Sequence, residues 1–239
     1  MAARGWRLLL GLSVGAAIPR FLRRTLLTTA GPFLAQSEVE ALDFPPLPEV
    51  ADCHGRQVRV LQMVGAGAQG AVFKAQVKGE DQLAVLKVSR GSSAASVSRE
   101  CAILRQLRQI PSVVRCLEEC LISGRQSILL SPFFADAVQM TSSTKLPEGL
   151  ELRRLSSFLG SAFALLQAEV AQADLQVLQK KDGELLWIDF TEAKVRSEDP
   201  EQFEVAARNF VSEVFTLIPS TSRDVAINVV ASLCSKGPG

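Results

Sequence analysis

From Arg56 onward apolar and polar positions alternate in short runs: RQVRVLQMV (56–64), AVFKAQV (71–77) and QLAVLKV (82–88), separated by GAGAQG and KGED. Period-two alternation broken by glycine-rich punctuation predicts antiparallel strands joined by turns. The period then lengthens. Val97, Cys101, Leu104 and Leu107 recur at helical spacing and Pro111 follows, which predicts one helix. Two more strands, SVVRCLEECLI and QSILLSPFF, are joined at Ser123-Gly124. LRRLSSFLGSAFALL then puts Leu152, Leu155, Phe158, Leu159, Ala162, Phe163 and Leu166 on one helical face. A hairpin turning at Asp182-Gly183 follows. Two amphipathic helices end the pattern, PEQFEVAARNFVSEVFTLI with Phe203, Ala207, Phe210, Val214 and Phe215 inward, and SRDVAINVVASLC.

Composition narrows the chemistry. The 239 residues carry 26 basic and 25 acidic side chains, interspersed through the body of the chain, which leaves no electrostatic footprint for nucleic acid. Five cysteines, Cys53, Cys101, Cys116, Cys120 and Cys234, form no C-x-x-C pair, and His54 is the sole histidine, which argues against a zinc site of the usual ligand spacing and excludes Ser-His-Asp and Cys-His catalysis. The odd count suggests free, buried thiols in a reducing compartment. Even spacing places Cys116 and Cys120 on one strand face. His54 reads as a loop residue.

Residues 1–37 hold five arginines, Arg4, Arg7, Arg20, Arg23 and Arg24, and no acid, the composition of an organelle transit peptide. The apolar run Leu8 to Ile18 is too short to span a bilayer, so no stable membrane span is expected in the mature chain. Arg23-Arg24-Thr25-Leu26-Leu27 resembles a twin-arginine signal behind a transit region, or is a chance pair in an arginine-rich leader. The expected destination is a chloroplast or mitochondrion, leaning to the plastid. Residues 38–55, proline-rich to position 50, read as a linker.

Gly65, Gly67 and Gly70 have G-x-G-x-x-G spacing. A dinucleotide fold requires a helix after the third glycine, but Ala71 to Ala75 reads as a strand. A P-loop requires Gly-Lys-Ser or Gly-Lys-Thr, which is absent. What remains is a glycine-rich hairpin with Lys87 seventeen residues beyond it.

That hairpin, Ala84-Val85-Leu86-Lys87, Glu100 on the following helix, Asp174-Leu175 and Ile188-Asp189-Phe190 together resemble a protein kinase domain across roughly residues 56–217. The resemblance implies an α+β, protein kinase-like two-lobed fold. Its β-rich N-lobe with one helix would span residues 56–134, and its shortened, mostly helical C-lobe residues 135–239. It implies ATP bound by Gly65, Ala66, Gly67, Gly70, Val72, Val85 and Lys87, Lys87 paired with Glu100, and a hinge at Ser131 and Phe133. It further implies Asp189 as ligand to one Mg2+ ion and Asp174 as the catalytic aspartate that orients an acceptor hydroxyl. Pro132 offers no amide hydrogen to adenine.

The departures from that pattern lie in the catalytic loop. Gln172-Ala173-Asp174 stands where His-Arg-Asp is usual, so the clamp for a phosphorylated loop is gone. About three residues and the metal-binding asparagine are missing, since Asn209 and Asn228 both lie beyond Asp189. Thr191 replaces glycine after Asp189-Phe190, and Val85 replaces the usual alanine two before the lysine. Two readings stay open. One is a weak or atypical kinase acting on an unidentified protein substrate. The other is a pseudokinase serving as a nucleotide-dependent binding module or scaffold.

Overall fold

The computed structural model describes residues 44–140, 146 and 152–235. The expected transit segment lies outside them. Eleven strands and four α-helices follow in an α+β order among the described residues. The N-terminal half is a six-stranded antiparallel sheet in the order β1-β2-β3-β4-β6-β5. Its strands are β1 (Val50–Cys53), β2 (Arg56–Gly67), β3 (Gly70–Val77), β4 (Leu83–Ser89), β5 (Arg115–Ile122) and β6 (Arg125–Ser131). One helix, α1 (Ala94–Gln106), crosses between β4 and β5.

Strand β1 lies inside the stretch expected as linker, which therefore ends before Val50. Its four residues pair with Arg56 to Arg59 across a turn in which His54 and Gly55 take positive φ of 54° and 84°. A disulfide from Cys53 to Cys120 then joins β1 to β5, curling the sheet upon itself.

Alternation along each strand divides the sheet between two cores. On β4, Ala84, Leu86 and Val88 enter an apolar cluster within the curl, with Val58, Phe73, Ala75 and Leu129. Val85 and Lys87 point the other way, as period-two geometry requires. Ile128 and Leu130 join a second core with Val97 and Leu104 of α1 and Leu107 just beyond it, and this core runs on into the helical half.

That half is built on α2 (Leu152–Gln167), α3 (Pro200–Leu217) and α4 (Arg223–Ser235), with a three-stranded sheet of β7 (Val138–Met140), β9 (Val177–Gln179) and β10 (Leu185–Trp187). Strands β8 (Val170–Ala171) and β11 (Lys194–Val195) pair alongside. Helix α3 starts cleanly because Asp199 caps the amide of Gln202 at 2.9 Å and Pro200 occupies the first turn. Its expected inward residues Phe203, Ala207, Phe210 and Val214 are buried, while Phe215 is half-buried. On α2 the expected face is shifted. Leu152 is exposed, and Leu165 is buried in its place. The centre of this half is Trp187, stacked on Phe158 at 5.1 Å, tilted against Phe210, and donating its indole N–H to Ser161 at 2.8 Å.

The cysteines correct the sequence expectation. Cys53–Cys120 and Cys101–Cys116 are disulfides rather than free thiols, which removes the observation that argued for a reducing compartment. The side chain of Cys234 lies outside the described residues. Cys116 and Cys120 also do not share a face. A register shift between Cys116 and Glu118 inserts an extra residue, so Cys116 turns to α1 and the larger core while Cys120 enters the curl. Spacings of 15 and 67 residues give no local signal for either bond.

Candidate functional site

Lys87 and Glu100 meet because β4 turns Lys87 away from the curl and α1 lies against that face. Lys87 Nζ donates to Glu100 Oε2 at 2.7 Å, to Asp189 Oδ1 at 3.0 Å and to Thr191 Oγ1 at 2.6 Å. Thr191 Oγ1 in turn lies 3.0 Å from Glu100 Oε2 and 2.5 Å from Asp189 Oδ1, one of which takes its proton. Glu100 is 0% exposed and Lys87 7%. A buried carboxylate requires a cation and donors, and here it has both. Its second oxygen accepts from the Phe190 amide at 3.1 Å.

Electrostatics follow from that packing. Burial pulls the Lys87 ammonium down, but the charges of Glu100 and Asp189 outweigh it and hold the group above its ordinary value. Burial pushes the Asp189 carboxyl up, and Lys87 together with Thr191 holds it below the ordinary carboxylate value. Asp189 adopts φ 53°, a left-handed conformation that aspartate tolerates better than most residues. Gln172, buried, fixes the backbone there by donating to the carbonyls of Ile188 at 2.6 Å and Asp189 at 3.3 Å. Gln172 thus ties the Asp174 loop to the segment that carries Asp189.

A cavity of about 300 Å³ opens beside this network. Gly65, Ala66, Gly67, Gly70 and Val72 line it from the β2–β3 hairpin, with Lys87, Asp174, Asp189 and Thr191 opposite. Gly70 is required by geometry: with φ 155°, a Cβ built on it would stand 2.1 Å from the Val88 carbonyl. Gln69 at the hairpin tip donates to Glu192 Oε1 at 2.5 Å, which ties the glycine loop to the segment after Asp189. Asp174 is exposed, and its Oδ2 accepts from Gln176 Nε2 at 2.8 Å. Burial and the Asp174 charge push the Glu213 carboxyl up.

Other sequence-predicted residues lie elsewhere. Val85 packs against the larger core and does not line the cavity. The Phe133 amide is committed to the Leu83 carbonyl at 2.9 Å, and Ser131 lines a separate cleft of about 620 Å³. The hinge therefore does not join the glycine-loop cavity. Thr191, Gln69, Glu192 and Gln176 were not anticipated as site residues. A hydroxyl two positions beyond Asp189 was the available signal for Thr191; the rest depends on tertiary contact.

Among the described residues no cluster of three or more Asp, Glu, His or Cys forms a ready-made metal site. The donor set nonetheless fits Mg2+, which takes one or two carboxylates and completes its shell with water and phosphate oxygens. Asp189 Oδ2 and Asp174 Oδ1 make no hydrogen bond among the described residues, and both side chains border the cavity.

No family model and no curated protein matches the chain. Solved structures do match. The BubR1 kinase domain is similar at TM-score 0.52 and 17% identity, covering 66% of this chain and 53% of that one. The Mycobacterium tuberculosis PknI kinase domain gives 0.47 and 19%, covering 63% and 64%. Vaccinia related kinase 3 gives 0.46 and 13%, covering 66% and 56%. The chain spans about half the length of the BubR1 kinase domain. Its fold is a shortened, two-lobed, protein kinase-like α+β fold.

Proposed function

We propose that the protein binds ATP with one Mg2+ ion in the glycine-loop cavity and belongs to the compact, divergent end of kinase-like proteins. The observation that carries this reading is the convergence of Lys87, Glu100 and Asp189, from β4, α1 and the segment after β10, beneath a glycine hairpin. Glycine amides approach phosphates closely, Lys87 neutralises their charge, and Glu100 keeps Lys87 in place. Asp189 and Asp174 would hold the ion, which supplies charge neutralisation at the phosphates. Asp174, exposed and lining the cavity, would orient an acceptor hydroxyl of a protein substrate.

A second reading, a nucleotide-dependent binding module, is favoured by one contact. Asp174 Oδ2, on the carboxylate that would orient an acceptor, already accepts from Gln176 Nε2 at 2.8 Å. Transfer of labelled γ-phosphate to a mixed peptide library tests between them. The kinase reading expects labelling that disappears in Asp174→Ala; labelling that persists removes the role assigned to Asp174. Absence of labelling with nucleotide still bound selects the binding module. Import into an organelle is part of the proposal, and a fluorescent protein fused behind residues 1–37 tests it: diffuse cytosolic signal contradicts it.

A further inference from the structure

Three consecutive residues of α1 grip three different parts of the molecule. Arg99 donates to the Ala193 carbonyl at 2.8 Å and to the Glu198 carboxylate. Glu100 holds Lys87 and the Phe190 amide. Cys101 is bonded to Cys116 on β5, with Cα atoms 5.3 Å apart. Neighbouring helical residues point about 100° apart, so all three contacts are met by one rotation and one height of the helix. Two of them are non-covalent and belong to the site and the segment beyond it. The third is covalent and open to reduction.

The two disulfides differ in access. Cys53 and Cys120 are 0% and 2% exposed within the curled sheet. Cys116 is half-buried, sits at the bulge of β5 and follows exposed Arg115, whose charge favours approach of an anionic thiolate. Thiol–disulfide exchange begins with attack on an accessible sulfur, and of the four bonded cysteines Cys116 alone is not fully buried, Cys101 being 0% exposed.

We propose that Cys101–Cys116 is a redox-modification site that sets the position of α1 and, through it, the Lys87–Glu100 pair. A thiolate of a dithiol reductant attacks Cys116 Sγ and breaks the S–S bond, and Cys101 leaves as a thiolate that takes up a proton. The second thiol of the reductant then attacks the mixed disulfide and releases Cys116 as a thiol. The reductant ends as a disulfide, and the protein has gained two electrons and two protons. Val97, Leu104 and Leu107 remain buried against the core, so the helix stays docked. Glu100 is then held in register by packing and ion pairs alone. The effect on nucleotide rests on the ATP reading above; the effect on the helix does not.

The test uses the full chain in graded dithiothreitol, with thiols trapped by alkylation and located by mass spectrometry. Deuterium uptake over residues 94–106 and binding of a fluorescent ATP analogue with Mg2+ are followed in parallel. Cys101 and Cys116 are expected to be labelled at lower reductant than Cys53 and Cys120, uptake over 94–106 to rise, and affinity to fall about tenfold, equivalent to ~1.4 kcal/mol. Cys116→Ser should behave as the reduced protein without reductant, and Cys101→Ala/Cys116→Ala serves if that variant does not fold. Free Cys101 and Cys116 in the isolated protein, simultaneous reduction of both disulfides, or unchanged uptake after selective reduction overturns the proposal. Rising uptake with no nucleotide bound in either redox state upholds the tether and sinks the ATP reading instead.

Discussion

Glu100 Oε1 accepts a hydrogen bond from the backbone amide of Phe190 at 3.1 Å, ninety residues further along the chain. Its other oxygen holds Lys87, so one buried carboxylate joins a strand of the first lobe to the segment that carries Asp189. Removing Glu100 leaves the Lys87 ammonium buried with Asp189 as its remaining charge partner. Glu100→Ala is expected to destabilise the fold by about 3 kcal/mol, the scale for breaking a buried ion pair. Glu100→Gln, which can still accept from Phe190, should lose less. Urea unfolding of the two variants checks the order.

The same network fixes a pH window. The Asp189 carboxyl is lowered in the folded state, so its contribution is present above the unfolded value of about 3.9 and is lost as pH falls through the folded value. Lys87 is raised, so its contribution is full below about 10.4 and is lost as pH rises through its folded value. Melting temperature should form a plateau through neutral pH with losses on both sides. In Asp189→Asn the acid-side loss should shrink; an unchanged acid limb contradicts the assignment.

Gly70 bears a steric demand separable from charge. Its φ of 155° and the 2.1 Å separation that a Cβ at this position would have from the Val88 carbonyl leave no room for alanine without moving β3 from β4. Gly70→Ala should cost about 2 kcal/mol or more, a magnitude typical of strained backbone positions. Gly67→Ala, with open space around it, should cost little. Paired thermal denaturation curves make the comparison.

Gln172 gives a prediction about the loop. Its amide donates to the part-buried Ile188 and Asp189 carbonyls while its own Oε1 is buried without a partner, so Gln172→Leu removes both and is expected to cost about 1 kcal/mol. Histidine, which also carries an N–H donor, should recover part of the loss. Equal stability of the leucine and wild-type proteins rules out the tether.

Much of this was legible before the structure. Alternation along β4 alone separates Lys87 from Leu86, and the 3.6-residue period of α1 correctly buries Val97, Cys101, Leu104 and Leu107. Glu100 stands three residues after Val97 and four before Leu104, and so lies on their buried face. What failed was long-range or depended on a local irregularity. The bulge at Cys116 reversed the face expected from even spacing, and the disulfides join residues distant in sequence. Strand β1 was hidden because four residues beyond a proline-rich run carry no strong periodicity. The hinge expectation rested on Ser131 and Phe133, and sequence could not reveal that Phe133 spends its amide on Leu83.

The central claim is a nucleotide site built on Lys87 and Asp189, and calorimetric titration of the full chain with ATP tests it most directly. With Mg2+ the wild-type protein should bind one ATP per chain, more weakly without the ion. Lys87→Ala should lose at least about tenfold in affinity, equivalent to ~1.4 kcal/mol, and Asp189→Ala should lose the Mg2+ dependence. Absence of binding by the folded wild-type protein, or equal binding by all three proteins, contradicts the account.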